Sequence, residues 1–196
     1  MKIAVLGWGS LIWDKRNLSI ADGKWHENGP ALPIEFARIS SDGRLTLVIK
    51  PNWTDVVTLY AISLFDDIDH AVENLRAREG TVVENIGYYN FSNGEKRVRE
   101  ANESILPRLQ SWAVEIGIDA VIWTDLSPNF SIRLKIPFNM ENIKKYLNGV
   151  ESGTFKIAKG YIDNAPKQVD TRFRRDIGEF LEESNKSRLP QSLSNR

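Results

Sequence analysis

The chain of 196 residues has no cysteine. Disulfides, thiol nucleophiles and thiolate metal sites are therefore excluded. Histidine is scarce: His26 and His70 are the only two, and they are too far apart in sequence to form a pair with metal-ligand spacing. No metal and no cofactor are expected. Net charge is also lacking, because 26 basic residues balance 26 acidic ones. Nothing global draws the chain to nucleic acid or to an anionic membrane, and a nucleic-acid-binding role is disfavoured. No apolar run approaches the roughly 20 residues of a membrane helix. The N-terminal MKIAVLGWGSLIW lacks the longer apolar region and small-residue cleavage site of a signal peptide, so it reads as a core strand and the expected location is cytoplasmic.

What is present suits one large domain, with 41% hydrophobic residues for a core. The run Ile3–Leu6 reads as a covered strand, and Gly7, Trp8, Gly9 and Ser10 break it. Glycines at a strand end allow positive φ and a close approach of backbone to a neighbour. Backbone N–H groups in such a turn can form a nest for a carboxylate or oxyanion, although the same residues also make a plain tight turn. A dinucleotide fingerprint is rejected. Ile12 stands where the third glycine belongs, and Asp14–Pro33 is rich in loop residues where that motif needs a helix.

Ile34–Ile39 and Arg44–Ile49, joined by Ser-Ser-Asp-Gly, predict a β-hairpin in which Arg38 and Arg44 are solvated. Val56–Leu64 predicts one further strand. Asp66 is the expected cap of a helix running to Glu79, with Ile68, Ala71, Val72 and Leu75 as its apolar stripe and Gly80 after its end. Strands follow at Ile86–Phe91 and Asp119–Leu126, and Arg97 and Arg99 are read as solvated. A helix between Ser104 and Gly117 keeps Pro107 in its first turn. Ser127–Pro137 reads as irregular, and helices are expected at Glu141–Leu147, Phe155–Ile162 and Thr171–Glu182. Helices and strands do not alternate regularly, so a mixed α+β domain is expected, with a curved or closed sheet.

Glu79 is the candidate for chemistry. It follows Leu75 by four residues and Val72 by seven, a spacing that sets a carboxylate on the apolar face of its helix. Burial and the negative end of a helix both disfavour an anion, which is how a carboxylate is tuned for general acid/base work. The alternative is a frayed last turn with Glu79 in solvent. Ser10 lacks the nucleophile-elbow pattern. Tyr60, Tyr88, Tyr89 and Trp123 fall in strands, more often core than site, although an aromatic lining suits a small-molecule pocket.

A strand ending in GWGSLIW, followed about seventy residues later by a helix ending in LRAREG, resembles the gamma-glutamylcyclotransferase-like superfamily. Val5–Trp13 is close to the form of its glutathione-specific, ChaC-like branch, and Arg78-Glu79-Gly80 matches the family's catalytic Glu before a Gly. The resemblance covers about residues 1–126. It implies a closed β-barrel with surrounding helices at 1–126, to which 127–184 adds a helical extension and 185–196 a flexible tail. It implies Glu79 as the catalytic acid/base and Gly7, Trp8, Gly9, Ser10, Leu11 and Tyr88 as substrate-binding residues. The implied partner is a small γ-glutamyl substrate, converted to 5-oxoproline and a free amine without metal or cofactor. Trp8 replaces the family's tyrosine, and Ser127–Arg196 has no counterpart there. The rival expectation is a non-catalytic module on the same fold that binds a small molecule or a partner.

Overall fold

Ile3–Gly7 forms strand β1 and is buried along its whole length, as its apolar run requires. The computed structural model describes residues 1–188. β1 pairs antiparallel with β5 (Leu59–Ile62) and parallel with β8 (Ala120–Thr124), in the register Val5↔Ala61 and Ala4↔Val121. β6 (Ile86–Asn90) continues the sheet antiparallel to β8, and β7 (Lys96–Arg97) edges it, in the order β5-β1-β8-β6-β7. A second sheet has the order β3-β2-β4, from β2 (Ala31–Ile39), β3 (Leu45–Ile49) and β4 (Asp55–Val57). The fold is therefore α+β with mixed pairing.

The single strand expected over Val56–Leu64 is two strands in different sheets. The break is at Thr58, which is fully buried and bonds back to the Pro30 carbonyl through its N–H (3.2 Å) and its hydroxyl (2.7 Å). Those bonds take the place of ladder pairing, so the chain changes sheets there. The hairpin is as expected, with Gly43 at φ 82 in its turn, though β2 starts earlier and includes Pro33.

Side chains alternate across the larger sheet. Ile3, Val5, Ile86 and Ile122 face helix α1 (Ile68–Glu79) and meet its Ala71, Val72 and Leu75. Ala4, Leu6, Val121 and Trp123 face the other way, into a larger core shared with β2 and β3. Helix α2 (Leu106–Ile116) joins that core after a 3-10 turn at Glu100–Ile105, with Pro107 in its first turn. So do α3 (Phe130–Leu134), α4 (Met140–Gly149), α5 (Ser152–Asn164) and α6 (Arg174–Arg188). α3 lies in the stretch expected to be irregular; a single short turn leaves little periodicity to read. α6 runs into the expected tail, and residues 189–196 lie outside the described residues. Among the described residues no helix is long and apolar enough to cross a membrane.

Candidate functional site

Beyond Gly7 the chain turns tightly. Ile12 N–H bonds to Gly9 O at 3.0 Å and Asp14 N–H to Ser10 O at 2.9 Å, and no helix follows. Gly7 and Gly9 are not among the left-handed glycines, so positive φ is not what requires them. Close approach is. A methyl group on Gly7 would lie 2.6 Å from Ile12 Cδ1 and 2.7 Å from Trp25 Cζ3, and one on Gly9 would strike the Tyr161 hydroxyl.

Helix α1 is capped by Asp67 rather than Asp66, its carboxylate accepting from His70 N–H at 3.0 Å. Gly80, at φ 62, closes it. Two residues compete for the last inward position, Arg78 three residues after Leu75 and Glu79 four after. Arg78 takes it, with 3% of its side chain exposed, while Glu79 sits at the rim with 19% exposed. The expected place of Glu79 on the buried stripe is thus corrected by one residue. Arg78 Nη1 donates to Glu79 Oε1 at 2.7 Å and its Nε to Asp14 O at 3.1 Å. Its Nη2 donates to Asp14 O and reaches Ser10 Oγ at 3.5 Å. A buried cation therefore joins the end of α1 to the turn after β1. It also puts a positive charge beside Glu79, which the expectation of an isolated carboxylate left out.

A cavity of about 350 Å³ opens between these parts. Gly7, Trp8, Gly9, Ser10, Leu11 and Glu79 all line it. Tyr88 does not. β6 alternates, and Tyr88 faces the α1 side with its ring under the Arg97 guanidinium at 5.1 Å. Asn85, just before β6, lines the cavity instead.

The opposite wall holds residues read as solvated or not singled out. Arg38 and Arg44 come from the β2–β3 hairpin and Tyr161 from α5. Arg38 Nη1 donates to Ser127 O at 2.8 Å, and burial together with repulsion from Arg99 and Arg133 lowers its pKa from the ordinary value. Arg44 pairs with Asp42 at 2.8 Å and lies over the Tyr161 ring at 5.5 Å. Burial pushes the Tyr161 hydroxyl up to about 12. The Leu47 and Ser10 N–H groups and Arg44 draw it down, while the Glu79 charge adds to the rise. A ladder irregularity between Phe36 and Arg38 breaks the alternation from which Arg38 would be placed. Arg97 and Arg99 are likewise half-buried, donating to Ile86 O at 2.8 Å and to Asn85 and Asp125.

The cavity joins a carboxylate, hydroxyls, turn backbone and two guanidinium groups, a set able to hold an anionic ligand and move a proton on it. Neither histidine lines it: His70 is 75% exposed, and His26 stacks on Tyr60 at 4.8 Å. Among the described residues no cluster of three or more His, Asp or Glu side chains could hold a metal ion. No family model, curated protein or solved structure matches the chain. The site's geometry is thus the ground for a functional reading.

Proposed function

We propose that the chain is a gamma-glutamylcyclotransferase-type enzyme that converts a γ-glutamyl amine or peptide to 5-oxoproline and a free amine in the cytoplasm. One observation carries the reading: Glu79 and the Gly9–Ser10 turn line the same cavity. In the reaction the substrate's α-amino nitrogen attacks its own γ-carbonyl carbon. A C–N bond forms and closes the five-membered ring, and the C–N bond to the leaving amine breaks. Glu79 takes the proton from the attacking nitrogen and returns it to the leaving one, so no oxidant or second reactant is needed. Turn N–H groups hold the γ-glutamyl moiety, and Arg38 and Arg44 attract its α-carboxylate. Holding amine and carbonyl in one folded substrate supplies much of the acceleration. A closed barrel belongs to the same proposal. It is supported by β4 running into β5 at Thr58 and by one core shared between the two sheets.

The test is 5-oxoproline release from a panel of γ-glutamyl compounds, with Glu79→Gln as the control. The variant is expected to lower kcat by about 10²–10⁴-fold, the usual worth of a general acid/base. Undiminished release by Glu79→Gln would refute the mechanism. The 2.7 Å Arg78–Glu79 pair favours a second reading, a binding module whose carboxylate serves structure. It predicts that γ-glutamyl ligands raise the unfolding temperature without turnover.

A further inference from the structure

Tyr161 is almost wholly buried, yet it lines the cavity. Its ring is fixed by Trp13 at 5.3 Å and Phe36 at 6.4 Å, both edge-on. The phenolic oxygen abuts Gly9, which has no room there for a methyl group. That oxygen accepts from Leu47 N–H at 3.4 Å and is drawn on by the Ser10 N–H. Both contacts use the oxygen as an acceptor. Among the described residues no protein atom accepts the phenolic proton. A buried tyrosine hydroxyl ordinarily finds an acceptor, because leaving a buried donor unmade is costly. The oxygen that carries this donor abuts Gly9, and Tyr161, Gly9 and Glu79 line the same cavity.

We infer that Tyr161 donates this hydrogen bond to a carbonyl or carboxylate oxygen of the bound ligand, so that α5 supplies a ligand-binding residue to the site. The inference deepens the γ-glutamyl reading and rests on it for the identity of that oxygen, the acyl oxygen of the γ-glutamyl group. α5 belongs to the stretch without a counterpart in the resembled family. Its packing against the β2–β3 hairpin and the turn is then part of the site's construction, not only of its support.

The experiment compares wild type with Tyr161→Phe, which removes one oxygen and keeps the ring. Two readouts are taken, 5-oxoproline release from γ-glutamyl-alanine and calorimetric binding of glutarate, a five-carbon dicarboxylate probe. The variant is expected to unfold close to the wild-type temperature and to lose about 10- to 100-fold in kcat/KM, the range for one donor to a polarised oxygen. Its affinity for glutarate is expected to fall about 5- to 10-fold. Equal kcat/KM in the two proteins overturns the inference and leaves the enzymatic reading standing. If wild type releases no 5-oxoproline, that reading fails and the glutarate arm decides alone. Weaker binding by the variant then upholds Tyr161 as a donor; equal binding, or none to wild type, overturns it.

Discussion

Arg78 rather than Glu79 is the residue on which the end of α1 closes. Its guanidinium is buried and spans Glu79, Asp14 O and Ser10 Oγ, three acceptors that a planar fork of donors can meet together. Adjacent helix residues do not face each other, so this pair forms only because the long arginine side chain swings across the helix end. Arg78→Lys keeps the charge but offers one compact ammonium, which cannot reach all three acceptors. In the proposed enzyme it is expected to lower kcat with little change in KM, because Glu79 loses its fixed orientation. Arg78→Met removes the charge as well. It is expected to cost about 2–4 kcal/mol in urea unfolding, as a carboxylate and a carbonyl lose their buried partner. A methionine variant as stable as wild type would show that the pair is solvent-relaxed. Spacing put a polar side chain at the end of the buried stripe because positions three and four beyond Leu75 share its face. Which of the two turns inward depends on the distant turn at Asp14, which no local pattern records.

The turn after β1 meets α5 at Gly9, whose missing side chain lets the Tyr161 hydroxyl come close. Gly9→Ala adds a methyl group where the Tyr161 hydroxyl stands. Either α5 shifts or the turn does, and the expected cost is about 1–3 kcal/mol, the usual range for overpacking. Because the displaced atoms belong to residues that line the cavity, 5-oxoproline release by the proposed enzyme should fall more steeply than stability does; paired thermal unfolding and activity measurements check this. Elements held by local chemistry were readable in the sequence. The Asp42-Gly43 turn needs left-handed backbone, Gly80 ends α1 the same way, and Pro107 opens α2 where a missing N–H is harmless. Elements decided by partners were not. Val56–Leu64 looks like one β-rich run, and only the Pro30 carbonyl, met by Thr58, divides it between two sheets. Arg38 and Arg44 flank a polar turn and look solvated, and only the docking of Arg38 on Ser127 and the approach of α5 enclose them.

At the scale of the molecule, the chain after residue 126 is part of the core that supports the cavity. Glu35 on β2 shows how the two are joined. Its fully buried carboxylate accepts from Phe36 N–H (2.8 Å), Trp53 Nε1 (2.7 Å), Thr171 Oγ1 (2.6 Å) and Phe173 N–H (3.2 Å), so the approach to α6 is tied directly to a strand. Tyr161 makes the second join, and it has a signature in the stability of the whole chain. Its hydroxyl is raised from an ordinary 10.0 to about 12 in the folded protein. Below pH 10 it is neutral in both states and stability is unaffected. Between pH 10 and 12 the unfolded chain gives up this proton while the folded one keeps it. The unfolded state then binds fewer protons, and stability falls as pH rises. Across about two pH units the loss is about 3 kcal/mol. Tyr161→Phe removes the group and with it this share of the alkaline slope. Denaturant unfolding of both proteins from pH 9 to 12 should therefore show wild type losing stability faster, the gap opening from pH 10. Parallel curves would mean that the Tyr161 hydroxyl meets solvent, and α5 would then not form a closed wall of the site.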